Sequence, residues 1–523
     1  MTKAKSPLLF VLLAVGLMQG QVTTFEGIDA SQLNQNEPKA DVDPNGAIGT
    51  QQYMEWVNVA FQAWDKTTSQ PVWSEPVSAN SVWTNNGLNQ CGNITGDGEI
   101  IFDRLASRWV IAAHSNQETG DNYFYCVAVS NTDNLASTNP PLRWYTYAFS
   151  LTNALGENSE GMTYFPDWPK IATWPNAYYI GIDVLDPVTY DFAGVLACAL
   201  DRTNMLNNDS ARPMQCIEVT GADSYGYHSL EPADVEGTTA PPAGQDEMYV
   251  SIQNPPEDGH SVTSNQINVW DFQLDPNWSG NSKLVQSQIT VPTYKPGCYN
   301  VTKPLDTVCV PQPATHSNGN HFLIDSVGDR LMSRLSYRNF GSYQSFLVSH
   351  TIAMSTGNSK LTGIRWYELR GSGVPTLYQS GTLNLNAQNP LANATVFRFM
   401  PSITQDQAGN AAVGYSVSGD LFHPGIRGAS WNLTNDTTPM EFNIQTGGGD
   451  QENSVKWGSY TSMTVDPVNN CTFWYVNQYL TADQTGTEIV WQTRIGNFQV
   501  SGCSDSKIGP SKHRHGRETL RIP

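Results

Sequence analysis

Just ahead of the apolar runs in this sequence stand side chains with the chemistry to hold a sugar. Asp43 and Asn45 precede the first run, Asp97 and Glu99 the second, and Asp167 and Lys170 the third. His321, Arg398, and Lys456 with Trp457 and Tyr460 precede later ones. Sugar hydroxyls need paired donors and acceptors, and the apolar face of the ring stacks on aromatic side chains. The same set holds enough acids and bases for proton transfer. Asp97, Glu99, Asp167, Lys170, His321, Arg398, Trp457 and Tyr460 are therefore the expected ligand-binding residues. No catalytic residue is assigned.

The stretch DVDPNG carries oxygen ligands on alternate positions, Asp41, Asp43 and Asn45, followed by Gly46 for a sharp turn. That is the start of a calcium loop. Its twelfth position is Gln52 rather than Glu, so only a partial Ca²⁺ cage is expected, against the alternative of a turn closed by its own Asx side chains. Arg330, Arg334 and Arg338 share one face of a strand. They suit either an acidic ligand or ion pairs between neighbouring elements. A Ser-nucleophile elbow, a HExxH zinc helix, a phosphate-binding P-loop and a Gly-rich dinucleotide turn are all missing from the sequence.

What must position these residues is a recurring strand–turn–strand unit. GEIIFDRLASRWVIAAH turns at Asp103, HFLIDSVGDRLMSRLSY at Asp325, PSITQDQAGNAAVGYSV at Asp406 and TSMTVDPVNNCTFWYVN at Asp466. An Asp at the same place in each repeat accepts backbone N–H bonds across its turn, so these four are read as turn-formers rather than catalytic acids. Seven such units follow one another, each with three or four short strands and Gly/Pro/Asn turns. The expected fold is all-β, a single β-propeller of seven blades spanning residues 40–503. Two consecutive β-sandwiches are the rival.

The chain has 523 residues, with only 15% charged and a net charge of −20. A nucleic-acid partner is excluded by that sign, because phosphate binders cluster Lys and Arg. Residues 1–20 read as a secretory signal peptide: two lysines, then an apolar run too short to span a bilayer. No membrane span is expected. Residues 21–39 read as a flexible leader, and 504–523 as a basic disordered tail. Eight cysteines without a CxxC pair suit disulfides in an exported chain, locally paired as 91–126, 198–216, 298–309 and 471–503. Eight Asn-x-Ser/Thr sequons, at Asn93, Asn208, Asn277, Asn300, Asn393, Asn432, Asn435 and Asn470, allow glycosylation.

The stretches DPNGAIGTQQYMEWVN, GDGEIIFDRLASRWVIA, FPDWPKIATWPNAYYI, DRLMSRLSYRNFGSYQSFLVSHTI, GIRWYELR and WGSYTSMTVDPVNNCTFWYVNQYL resemble a family of secreted bacterial β-propellers, loosely grouped as sialidase-like or Asp-box (BNR) proteins. The resemblance implies the propeller fold and export. It assigns no sialidase arginine triad or Tyr/Glu pair to positions here. The expected function is a secreted propeller that binds extracellular polysaccharide, a glycoprotein or another surface partner through the mouth of its central channel. The alternatives are a carbohydrate-active enzyme (a hydrolase or lyase) using acids and bases at that mouth, and a structural extracellular component.

Overall fold

The computed structural model describes residues 21–33, 41–116, 122–220, 227–253, 265–298, 307–354, 360–383, 395–434, 436–486 and 489–503. The proposed signal peptide, the basic tail and the sequons at Asn300, Asn393 and Asn435 lie outside them. No helix among the described residues is long and apolar enough to cross a membrane.

Short apolar runs broken by Asx turns fold into antiparallel four-stranded units. Unit 1 is Asn45–Ile48, Gln52–Val57, Ala60–Asp65 and Val77–Ser78. Unit 2 is Glu99–Asp103, Arg108–Asn116, Tyr123–Ser130 and Trp144–Ser150. Unit 3 is Phe165–Thr173, Tyr178–Leu185, Phe192–Leu200 and Gln215–Thr220. Unit 4 is Glu231–Val235, Glu247–Ile252, Gln266–Gln273 and Lys283–Thr290. Unit 5 is Met332–Asn339, Gln344–Ala353, Thr362–Arg370 and Thr376–Leu383, joined to unit 4 by parallel pairing of their first strands. Unit 6 is Phe397–Gln405, Asn410–Gly419, Phe422–Asn432 and Asp436–Gln445.

Unit 7 takes Ser462–Val465, Thr472–Leu480 and Trp491–Gln499 from the end of the chain and its fourth strand, Thr23–Asp29, from the beginning. The first strands of successive units lie side by side, and that of unit 7 lies beside that of unit 1, so the ring is closed. This is a β-propeller and not a pair of sandwiches. Closure by a strand from the opposite terminus leaves no open seam in the ring.

Two sequence expectations are corrected here. The leader is not flexible at residues 23–29. That segment pairs with Trp491–Gln499 through Thr23↔Asn497, Phe25↔Ile495 and Asp29↔Gln492, and Glu26 pairs with Arg494. Thr23–Asp29 carries no apolar alternation of its own, and its pairing partner lies at the far end of the chain. The run His321–Asp325 does not open unit 5 either. It pairs back onto Val308–Thr315 in a two-stranded hairpin outside the four-stranded units.

The turn-former reading of the four aspartates holds. The Asp103, Asp325, Asp406 and Asp466 carboxylates accept the backbone N–H two residues on, from Leu105, Val327, Ala408 and Val468. The four disulfides pair as expected, Cys91–Cys126, Cys198–Cys216, Cys298–Cys309 and Cys471–Cys503.

Candidate functional site

At the entrance to the inner strands the backbone repeats a feature that the sequence hides. Asp43, Asp97, Trp168, Ser229, Met400 and Gly458 all adopt positive φ, between 42° and 60°. Each stands two residues before Asn45, Glu99, Lys170, Glu231, Ser402 or Tyr460; the first five open an inner strand or follow its bulge, and Tyr460 lies in the turn just ahead of Ser462. Only the glycine adopts this region without steric cost; the others are held there by their surroundings, at about 1 kcal/mol or more each. Six units thereby turn their chain into the ring at the same end, which gathers the residues around the turn at one mouth.

The belt below the turns is structural. Asn45 Oδ1 accepts from Ile100 N of unit 2 at 2.8 Å, while Asn45 Nδ2 donates to the Tyr460 carbonyl of unit 7 at 3.1 Å. Glu99 accepts from Ile171 N of unit 3 and from the Ser333 hydroxyl of unit 5. Of the three residues expected to begin a Ca²⁺ cage, Asn45 spends both ends of its amide on the ring, Asp41 lies 3.1 Å from Lys456, and Asp43 lines the cavity described next.

The axis is closed by charge. Arg334 of unit 5 reaches Asp234 of unit 4 at 2.6 Å and the Ile100 carbonyl of unit 2 at 2.7 Å. Farther along its strand, Arg338 donates to the carbonyl oxygens of Gln405 and Glu236. Arg104 pairs with Glu236, whose carboxylate also accepts from Val465 N of unit 7. Arg330 pairs with Asp183 at 3.1 Å and Asp329 at 2.9 Å and stacks on Trp168. The arginine stripe thus links units rather than waiting for an acidic ligand.

A cavity of about 390 Å³ is lined by Asp41, Asp43, Asp97, His114, Phe165, Asp167, Tyr190 and Lys456, among others. Burial first, and then the charge of Asp97, push Asp43 well above the usual carboxylate range. The same two causes, in the same order, push Asp167 up to about 6, against the opposing pull of Arg330. His114 Nδ1 lies 3.8 Å from Asp97 Oδ2 and makes no hydrogen bond among the described residues. The Tyr460 hydroxyl is buried without a hydrogen-bond partner among the described residues, and Asp97, Asp167 and Asp43 add to burial in keeping its proton on. Lys170 lies 3.5 Å over the Tyr460 ring, 4.5 Å over that of Trp168 and 3.6 Å from Glu99.

Of the expected ligand-binding residues, Asp97 and Asp167 line the cavity. Lys170, Glu99 and Tyr460 are buried and interlocked beside it. His321 lines a different cavity. Two expectations fail. Arg398 is buried inside unit 6 and pairs with Glu441 at 2.9 Å, and Trp457 is buried with its indole N–H donated to Ser416. Burial of an amphipathic side chain at a strand entrance is invisible in a linear sequence. His114, Phe165 and Tyr190 were missed. His114 ends a run that reads as apolar strand, and Tyr190 sits in a hairpin turn, so neither stands before an inner strand.

No protein-family model matches the chain, and no curated protein matches it. Among solved structures the chain is similar to the phage phi92 endosialidase, with a TM-score of 0.38 at 7% identity over 96% of this chain and 72% of that one. It is similar to the Trypanosoma rangeli sialidase in complex with sialic acid, with a TM-score of 0.34 at 10% identity over 77% and 53%. It is also similar to an exo-1,5-α-L-arabinanase from a bovine ruminal metagenomic library, with a TM-score of 0.25 at 12% identity over 66% and 99%. At these scores the site must be read from its own geometry.

Proposed function

We propose that this chain is an exported, seven-bladed propeller acting on glycans by acid–base chemistry at its mouth, a glycoside hydrolase. One observation carries the reading: three carboxylates from three successive units meet in one cavity, and two of them are driven toward the protonated form. Neighbouring carboxyl groups pushed into different protonation states supply an acid and a base together. Asp167, protonated below about pH 6, is the general acid. Asp97, whose charge raises both neighbours, is the base or nucleophile. Near them, His114 Nδ1 stands 3.8 Å from Asp97 Oδ2.

The substrate class follows from charge. Asp41, Asp43, Asp97 and Asp167 face one lysine, and the nearby arginine is already paired. Lys456 is taken by Asp41, and the nearby Arg330 by Asp183 and Asp329, so the lining offers a carboxylated sugar no free cation among the described residues and suits a neutral glycan. The four disulfides support export, since they persist in oxidising compartments.

A second reading, glycan binding without turnover, is favoured by the aromatic wall of Phe165 and the exposed Tyr190. Reducing-end release from a panel of neutral polysaccharides separates the two. The enzyme reading expects release that Asp97→Asn and Asp167→Asn each cut by about 10²-fold or more. Binding with no release supports the second.

A further inference from the structure

The hairpin of Val308–Thr315 and His321–Asp325 belongs to none of the four-stranded units, yet it walls a second cavity of about 870 Å³. That cavity shares Asp41 and Lys456 with the mouth. The Lys456–Asp41 ion pair, 3.1 Å long and solvent-exposed on its lysine side, is the divide between the two hollows. We infer that the second cavity is a further sugar subsite, so that a linear neutral glycan runs from the carboxylates across the Asp41–Lys456 pair onto the hairpin. The inference rests on the glycan reading of the mouth.

The lining has the chemistry for this. Asn318 and Asn320 are exposed at the hairpin tip; the Asn318 oxygen accepts from Asn320 N at 3.0 Å, leaving its NH₂ to donate, and the Asn320 amide offers a donor and an acceptor to sugar hydroxyls. The His316 and Phe322 rings lie 3.7 Å apart between centroids and form a platform for the apolar face of a ring. His321 Nδ1 is buried and has no hydrogen-bond partner among the described residues. That atom lies behind the cavity surface, so His321 lines the cavity with the rest of its ring. An exposed ion pair is weakly held, so the Lys456 side chain swings aside at little cost when a chain crosses. The cavity is within the range of small-molecule sites, about 300–1,000 Å³.

The test measures kcat/KM of the full chain on ladders of arabino-, xylo- and cello-oligosaccharides from dimer to octamer, with titration calorimetry of the Asp167→Asn protein on the same ladders. We expect kcat/KM on the preferred ladder to rise about ten-fold or more with length. Asn320→Ala and His321→Ala, made separately so that one misfolded variant does not decide the matter, each remove at least about two-thirds of that rise. A flat ladder in the unaltered chain, or variants that slow every length by the same factor, overturns the subsite. Length-dependent binding that these variants weaken, without turnover, keeps the subsite and removes the acid–base reading. Neither turnover nor binding on any ladder removes both.

Discussion

Arg334 donates to the carbonyl oxygen of Ile100 at 2.7 Å, although the two residues belong to units on opposite sides of the ring. That contact, with the Arg334–Asp234 pair, stops the central channel below the mouth. Asp43, Asp97 and Asp167 line a cavity at the entrance to the inner strands of units 1, 2 and 3.

Replacing Arg334 by Met should be costly. Asp234 would lose its partner while Thr173 N still binds its other oxygen, leaving a buried carboxylate uncompensated. The expected loss is about 3–5 kcal/mol in urea unfolding. A change below about 1 kcal/mol would mean that the plug does not hold the ring.

Ring closure is testable at Gly27. A Cβ there would lie 2.3 Å from Thr493 Oγ1 and 2.4 Å from Glu55 Oε2. Gly27→Val should detach the first strand and cost at least about 2 kcal/mol, read as a lowered melting temperature and early proteolysis within residues 23–29. Unchanged melting and protease resistance would return the segment to the status of a leader.

How much of this was legible in the sequence depends on where each residue's partners lie. Strand–turn–strand units showed because apolar runs and Asx turns are local. The disulfides showed because each joins neighbouring segments. The first strand of unit 4, Glu231–Val235, did not show, because its acidic residues serve the ring: Glu231 takes the Ser229 hydroxyl, and Asp234 takes Thr173 N and Arg334. The left-handed turn at the mouth was equally hidden, since five residue types fill its six positions. Asp97 and Asp167 were found by standing before inner strands; Arg398 and Trp457 stand there too, but turn inward.

Stability should fall as pH rises. Burial lifts both Glu55 and Glu231 to about 8, so the folded chain keeps protons that the unfolded chain loses near 4.5. Their contribution is fully present below about pH 4.5 and is lost as pH rises to about 8. Each group then costs on the order of a few kcal/mol at the alkaline end. Glu55→Gln and Glu231→Gln should flatten the melting temperature between pH 5 and pH 8, the interval bounded by these shifts. An unchanged slope would remove them as its source.

Tyr190 separates binding from folding. It is 63% exposed and packs edge-on against Phe165 at 6.0 Å. Tyr190→Ala should weaken glycan affinity by about ten-fold, the loss of one stacking face, with little shift in melting temperature. Equal affinity in calorimetry would remove the aromatic wall from the site.

The most direct measurement is the pH dependence of kcat/KM for reducing-end release from a neutral polysaccharide. With Asp167 as the acid, activity falls as pH rises through about 6. Asp167→Ala loses that limb but keeps turnover of dinitrophenyl glycosides, whose leaving group needs no proton. A profile flat through pH 6, or an Asp167→Ala chain as active as the parent on the polysaccharide, would contradict the account.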